Sequence, residues 1–125
     1  MQTLYCSSEK EQTMTVHNYK TKGGKDLIFE YIDNLSPAES TDGFSVLKKL
    51  EQEKFDELTI KPWQGKILEV YFYKHNRIFY VIVDGSDLYV LHACRKQKNK
   101  TEKQDSDKII TRAKELGAAL SKKFI

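Results

Sequence analysis

The sequence is poor in the residues and patterns on which metal, redox, membrane and secreted proteins depend. It has two cysteines, Cys6 in a polar leader and Cys94 at the end of an apolar run. Their separation is not that of a zinc site and implies no disulfide. No apolar run approaches the roughly 20 residues that a membrane span needs. No charged leader followed by an apolar core and a small-residue cleavage site opens the chain, so a cytoplasmic protein is expected. A glycine-rich phosphate loop, a helical histidine pair and a Cys-x-x-Cys are all missing. His17, His75 and His92 are scattered, and neither a metal nor a cofactor is expected. No internal repeat or low-complexity segment is visible.

What remains is a soluble domain with an uneven charge pattern. The chain has 125 residues, of which 31% are charged and 39% apolar, enough to bury one core and too apolar for a disordered chain. Residues 1–13 are polar and aperiodic and read as a flexible leader; residues 14–125 read as a single domain. Net charge is +3, but five basic residues fall between Arg95 and Lys103 against the single acid Glu102. A run of this kind is either a solvated surface or the footprint of a polyanion such as RNA.

The stretch Lys66–Thr101 organises the chain. Ile67–Tyr73, Arg77–Val83 and Leu88–Ala93 are rich in β-branched and aromatic residues. Lys74-His75-Asn76 and Asp84-Gly85-Ser86 separate them, which predicts a three-strand meander. Met14–Tyr19 alternates weakly and predicts a short strand at the sheet's edge. Leu27, Ile28, Tyr31, Ile32 and Leu35 share one face of a helix over Lys25–Leu35. Ser36-Pro37-Ala38-Glu39 has the cap, first-turn proline and capping-box glutamate of a second helix, with Phe44, Leu47, Leu50 and Phe55 as its buried stripe. Gly43 weakens its early turns and moves the expected start of regular structure to near Asp42. Leu58–Trp63 reads as a connector, with Trp63 a plug between helix hairpin and sheet rather than a base-stacking platform. Asp105 or Ser106 caps a last helix with Ile109, Ile110, Ala113, Leu116 and Leu120 on its apolar face. The expected fold is α+β: a two-helix hairpin on a small antiparallel sheet of about four strands, with a C-terminal helix.

Strand periodicity sorts the candidate chemistry. Leu68, Val70 and Phe72 fall on one face and are expected under the helix hairpin; Glu69, Tyr71 and Tyr73 fall on the other. Arg77 heads the next strand and can share that second face. Beside phenols and a carboxylate its guanidinium is either a seat for a phosphate or half of an Arg77–Glu69 pair, and periodicity leaves both open. His92 approaches the end of the same sheet. Cys94 has no evident base and reads as core filler.

Three segments carry a resemblance: Trp63-Gln64-Gly65-Lys66-Ile67-Leu68-Glu69-Val70, Asn76-Arg77-Ile78-Phe79-Tyr80, and Leu91-His92-Ala93-Cys94-Arg95-Lys96-Gln97-Lys98-Asn99-Lys100-Thr101. Together they resemble the phage-type HigB branch of the RelE/ParE toxin superfamily. The resemblance implies the toxin of a type II toxin–antitoxin system: a ribosome-dependent mRNA endonuclease that cleaves by 2′-hydroxyl attack without a metal. It also implies a cognate antitoxin of helix-turn-helix type. Carried over by position, it gives Arg77 the scissile phosphate and places His92 near the cleavage centre. Arg95, Lys96, Lys98 and Lys100 then form an RNA-gripping loop. Lys66, Tyr71, Tyr73 and Glu69 join as base, acid or RNA contact. Two departures stand out: Tyr71 occupies a position that is basic in many relatives, and no tyrosine follows Lys100. They motivate the alternative, a catalytically inactive RelE-like module that binds RNA or protein.

Overall fold

The computed structural model describes residues 13–96 and 101–125. Three helices and five strands form in the order β1 (Thr15–Asn18), α1 (Leu27–Asp33), α2 (Pro37–Glu51), β2 (Thr59–Pro62), β3 (Leu68–Phe72), β4 (Asn76–Ile82), β5 (Asp87–Arg95) and α3 (Lys103–Leu120). A single 3₁₀ turn, Phe55–Glu57, joins α2 to β2. The sheet runs β1-β5-β4-β3-β2, antiparallel except where β1 joins β5 in parallel. The expected meander and edge strand are present. The sheet is nevertheless five-stranded and mixed rather than four-stranded and antiparallel: four of the six residues of the Leu58–Trp63 connector pair with β3 as β2, and β1 joins β5 in parallel. Pro62 is tolerated there because it ends an edge strand.

The two faces of the sheet carry separate cores. On one face Leu68, Val70, Phe72, Ile78, Tyr80, Val90 and Ala93 meet Ile28 and Ile32 of α1 and Val46 and Leu50 of α2. On the other, Ile67, Phe79, Val81, Leu91 and Cys94 meet Ile109 and Ala113 of α3. Residues Ile78–Val81 of central strand β4 are therefore apolar on both sides, as a stretch buried between two layers must be. Trp63 stacks edge-on to Phe79 at 5.4 Å, which makes it a plug on the α3 side and not beneath the helix hairpin.

Helix α2 begins at Pro37, as its cap demands: Ser36 Oγ accepts the Glu39 amide and donates to Glu39 Oε1 at 2.9 Å. Gly43 does not delay it. The glycine faces α1 and β3, where a Cβ would stand 2.8 Å from Ile32 Cγ2 and 2.9 Å from the Phe72 ring. Its missing side chain is thus a packing feature. Gly43→Ala is expected to destabilise by about 1 kcal/mol, overpacking outweighing the gain in helix propensity; urea denaturation at unchanged m-value measures it. Phe55 lies in the 3₁₀ turn beyond α2 and packs on the same core. Helix α3 starts at Lys103 with Glu102 at its cap position, so Asp105 lies within its first turn instead of capping it.

One irregularity decides which side chains face which layer. A β-bulge sets Phe79 opposite His92 and Tyr80 opposite Val90, leaving Leu91 as the extra residue. Beyond it, alternation is shifted by one residue. His92, Cys94 and Lys96 turn toward the α3 side, whereas Ala93 and Arg95 turn toward the helix hairpin.

Candidate RNA-binding cleft

Helix α3 covers only part of its face of the sheet. Beside it a cleft of about 380 Å³ opens over β2 and β3, walled by Lys61, Trp63, Glu69, Tyr71, Lys96 and Thr101. The register Tyr71↔Arg77 puts Arg77 next to Tyr71 on this face, as periodicity predicts. The guanidinium, however, does not stand free. Arg77 is 8% exposed, its Nη1 donates to the carbonyls of Lys74 (2.9 Å) and Asn76 (3.0 Å), and its Cζ lies 3.6 Å from the Tyr71 ring centroid. Its Nε is 3.4 Å from Glu69 Oε2, an ion contact without hydrogen-bond alignment. Of the two readings left open, the geometry selects the Arg77–Glu69 pair, with the arginine beneath Tyr71 and not on the surface.

The carboxylate of Glu69 is shared. Lys96 Nζ donates to the same Oε2 at 2.8 Å, and Glu69 and Lys96 are both buried. Two cations thus depend on one carboxylate, and the excess positive charge sits at the cleft wall. A desolvated charge of this kind is costly unless an anion completes it.

The other candidates lie elsewhere. Tyr73 has left the strand: its φ of 41° places it in the β3–β4 turn, 44% exposed, with its amide donating to Asp42 Oδ2 at 2.9 Å. Lys66 is exposed outside the cleft wall, where its amide donates to the Phe124 carbonyl at 2.7 Å and straps down the C-terminal residues. Arg95 belongs to the opposite face. Its Nη2 donates to Glu39 Oε2 at 2.9 Å within a chain in which Asn76 Nδ2 donates to the same oxygen and Tyr31 Oη donates to Asn76 Oδ1. The hydrogen bonds from Asn76 and Ser36, with Arg95 adding its charge, hold the Glu39 carboxyl down at about 2, while burial pushes the Tyr31 phenol up to about 12. Arg95 and Lys96, the two described members of the loop that the resemblance assigns to RNA, therefore point to opposite sides of the sheet. Lys98 and Lys100 lie outside the described residues. The residues flanking that segment, Lys96 and Thr101, both line the cleft, and Trp63 Nε1 donates to Thr101 Oγ1 at 3.0 Å.

His92 faces α3, not the cleft. Arg112 Nη1 donates to its Nδ1 at 3.1 Å, and because a guanidinium can only donate, Nδ1 is the bare nitrogen. Nε2 therefore carries the proton and donates to Asp105 Oδ1 at 2.8 Å. Burial lowers the imidazole pKa below its ordinary 6.5, against the opposing pull of Asp105. The unfolded chain then takes up a proton at a pH where the native state does not. The stabilisation contributed by neutral His92 is complete above about 6.5 and falls as pH drops toward the lower folded value. His92→Gln, which keeps a donor and an acceptor but no titration, is expected to flatten the loss of Tm between pH 7 and 5. His92, Cys94 and Asp105 bring ligand atoms within 4.8 Å of one another. Arg112 donates to the far imidazole nitrogen and the Nε2 proton points at Asp105, so Arg112, His92 and Asp105 stand as a hydrogen-bonded set, with burial pushing the neighbouring Cys94 thiol up to about 12.

Neither Lys61 nor Arg112 stood out in the sequence, and Asp105 stood out only as a helix cap and not as the partner of His92. Lys61 was hidden because its strand is made by pairing rather than by pattern. Asp105 and Arg112 are spaced two turns apart on α3, and that spacing was the available signal for a shared target on β5. No helix is long and apolar enough to cross a membrane among the described residues. No curated protein sequence matches the chain. A family model, Phage derived protein Gp49-like (DUF891), matches residues 30–114, a span that runs from α1 into α3 and contains the whole cleft. The chain therefore belongs to the Gp49-like family, within the RelE/ParE-like toxin superfamily.

Proposed function

We propose that this protein is a phage-type HigB-like toxin of a type II toxin–antitoxin pair, cleaving mRNA on the ribosome in the cytoplasm. The observation that carries the reading is the cleft itself: a tyrosine laid over a buried arginine, beside a lysine that shares the Glu69 carboxylate with that arginine. Family membership supports a toxin with an antitoxin partner. The excess charge supports an anionic ligand, and a phosphodiester placed over Tyr71 would supply the missing anion.

RNA brings its own nucleophile, the 2′-hydroxyl. The protein must align it with the phosphorus, stabilise charge on the phosphorane and handle two protons. In this reading Lys96 Nζ meets the non-bridging oxygens, water takes the 2′-hydroxyl proton as that oxygen bonds to phosphorus, and the Tyr71 hydroxyl gives its proton to the departing 5′-oxygen. Glu69 orients Lys96 as it does in the ligand-free protein. Arg77 acts as a positioning residue, holding the Tyr71 ring and adding its field from below. Tyr73, His92 and Arg95 take no part in the chemistry; Lys66 is a backbone contact beside the cleft, and the assignment of Lys98 and Lys100 to the RNA backbone rests on the resemblance alone.

Expression without the partner should arrest growth and produce mRNA cut products in a translating extract. Co-expression of a helix-turn-helix protein encoded beside it should relieve both effects. Absence of arrest and of cut products at any expression level overturns the nuclease reading. The binding-module alternative draws on the burial of Arg77, whose Nη1 is already spent on two carbonyls. It expects RNA binding with a steep salt dependence and no cleavage.

A further inference from the structure

Lys61 stands directly opposite Glu69 in the β2–β3 register, yet it forms no ion pair with it or with any other acid among the described residues. The reason is that Lys96 and Arg77 already occupy Glu69 Oε2. The Lys61 ammonium rests instead 5.0 Å from the centroid of the Tyr71 ring, its diagonal neighbour on the same face. Tyr71 is thus touched by two cations of different availability: Arg77, buried and hydrogen-bonded to backbone, and Lys61, exposed and held only by the ring. A cation on an exposed aromatic face is held more weakly than one hydrogen-bonded to an anionic oxygen. The ring is therefore a resting place that an arriving anion can empty without cost to the fold.

We propose that Lys61 is a phosphate-contacting residue of the cleft, binding the backbone of an RNA strand laid across Tyr71. The proposal rests on the RNA-cleaving reading above and extends it to a residue on a neighbouring strand. Its geometry follows from pairing. With β2 hydrogen-bonded to β3, Lys61 and Lys96 line the same cleft with the Tyr71 phenol, and successive phosphates of a single strand can be met by separate ammonium groups. Three cations then face one carboxylate, an imbalance suited to a polyanion.

The test is fluorescence-anisotropy titration of a labelled single-stranded RNA, with 2′-deoxy substitution to prevent cleavage, across a salt series. Wild type is compared with Lys61→Gln, Lys61→Arg and Lys48→Gln, the last on the helix-hairpin side of the sheet. Lys61→Gln is expected to bind several-fold more weakly and to lower the slope of log affinity against log salt by about 0.7, the value for one phosphate contact on a single strand. Lys61→Arg should restore the slope, and Lys48→Gln should leave it unchanged. If wild type binds and Lys61→Gln matches it in affinity and slope, the Lys61 assignment fails and the cleft reading stands. An equal loss in Lys48→Gln would reduce the effect to net charge and also overturn the assignment. If wild type binds no RNA even at low salt, both readings fall. Unchanged RNA binding with weakened inhibition by the antitoxin would give Lys61 to the protein partner and contradict the proposal.

Discussion

Replacement of Glu69 by glutamine is expected to lower the thermal midpoint by on the order of 10–20 °C, a loss of about 3–5 kcal/mol. Glu69 is 3% exposed and its Oε2 is the one anionic contact of both Arg77 and Lys96 among the described residues. Glutamine preserves shape and one acceptor but leaves two buried cations facing each other. Removing a cation is a different experiment. Lys96→Met leaves a one-to-one Arg77–Glu69 pair with no net charge, so its loss should be clearly smaller than that of Glu69→Gln. The double variant should recover part of the loss, because the repulsion goes with the second cation. Differential scanning calorimetry on the three variants checks the order. A Glu69→Gln protein as stable as wild type would mean that the cluster is well hydrated in solution and holds no unbalanced charge.

The second large effect separates neighbours that the sequence puts side by side. Lys96→Gln is expected to cut the rate of RNA cleavage by about 10²–10³-fold, the usual loss when a group stabilising charge in the transition state is removed. Arg95→Gln is expected to change it by less than about tenfold, because Arg95 lies across the sheet, tied to Glu39. Single-turnover cleavage at saturating enzyme isolates the chemical step from binding. Similar losses in the two variants would restore the picture of one continuous basic loop.

That contrast also marks where the sequence stops being readable. The meander and the helix hairpin were legible because each has a local signal, β-branched runs and helical spacing; the Ser36-Pro37 cap was legible too, but Gly43 moved the expected start of α2 to near Asp42, five residues late. Strand β2 was not, since Thr59–Pro62 has no alternating apolar pattern and exists only through its ladder to β3. The assignment of Glu69, Tyr71 and Arg77 to one face was legible from period two. Tyr73 was not, because the strand ends in a left-handed turn one residue before it would have joined them. The bulge at Leu91 is the costliest omission. With strict alternation from Leu88 and Val90, Lys96 would have gone to the helix-hairpin face and Arg95 to Glu69's side; one extra residue exchanges them. Nothing in the run Leu88–Arg95 announces it. Burial was equally hidden: an arginine within an apolar strand reads the same whether its head group reaches solvent or, as here, the carbonyls of Lys74 and Asn76.

The cleft between β2, β3 and Lys96 is where the phosphodiester should bind. The most direct measurement is two-dimensional NMR of the ¹⁵N-labelled protein titrated with a 2′-deoxy-substituted RNA strand that cannot be cut. The amides of Lys61, Trp63, Glu69, Tyr71, Lys96 and Thr101 should shift together and saturate at one concentration, with those of Glu39 and Arg112 unmoved. Shifts centred on the Arg95–Glu39 face or on the His92–Arg112 groove, or none at all, would contradict it.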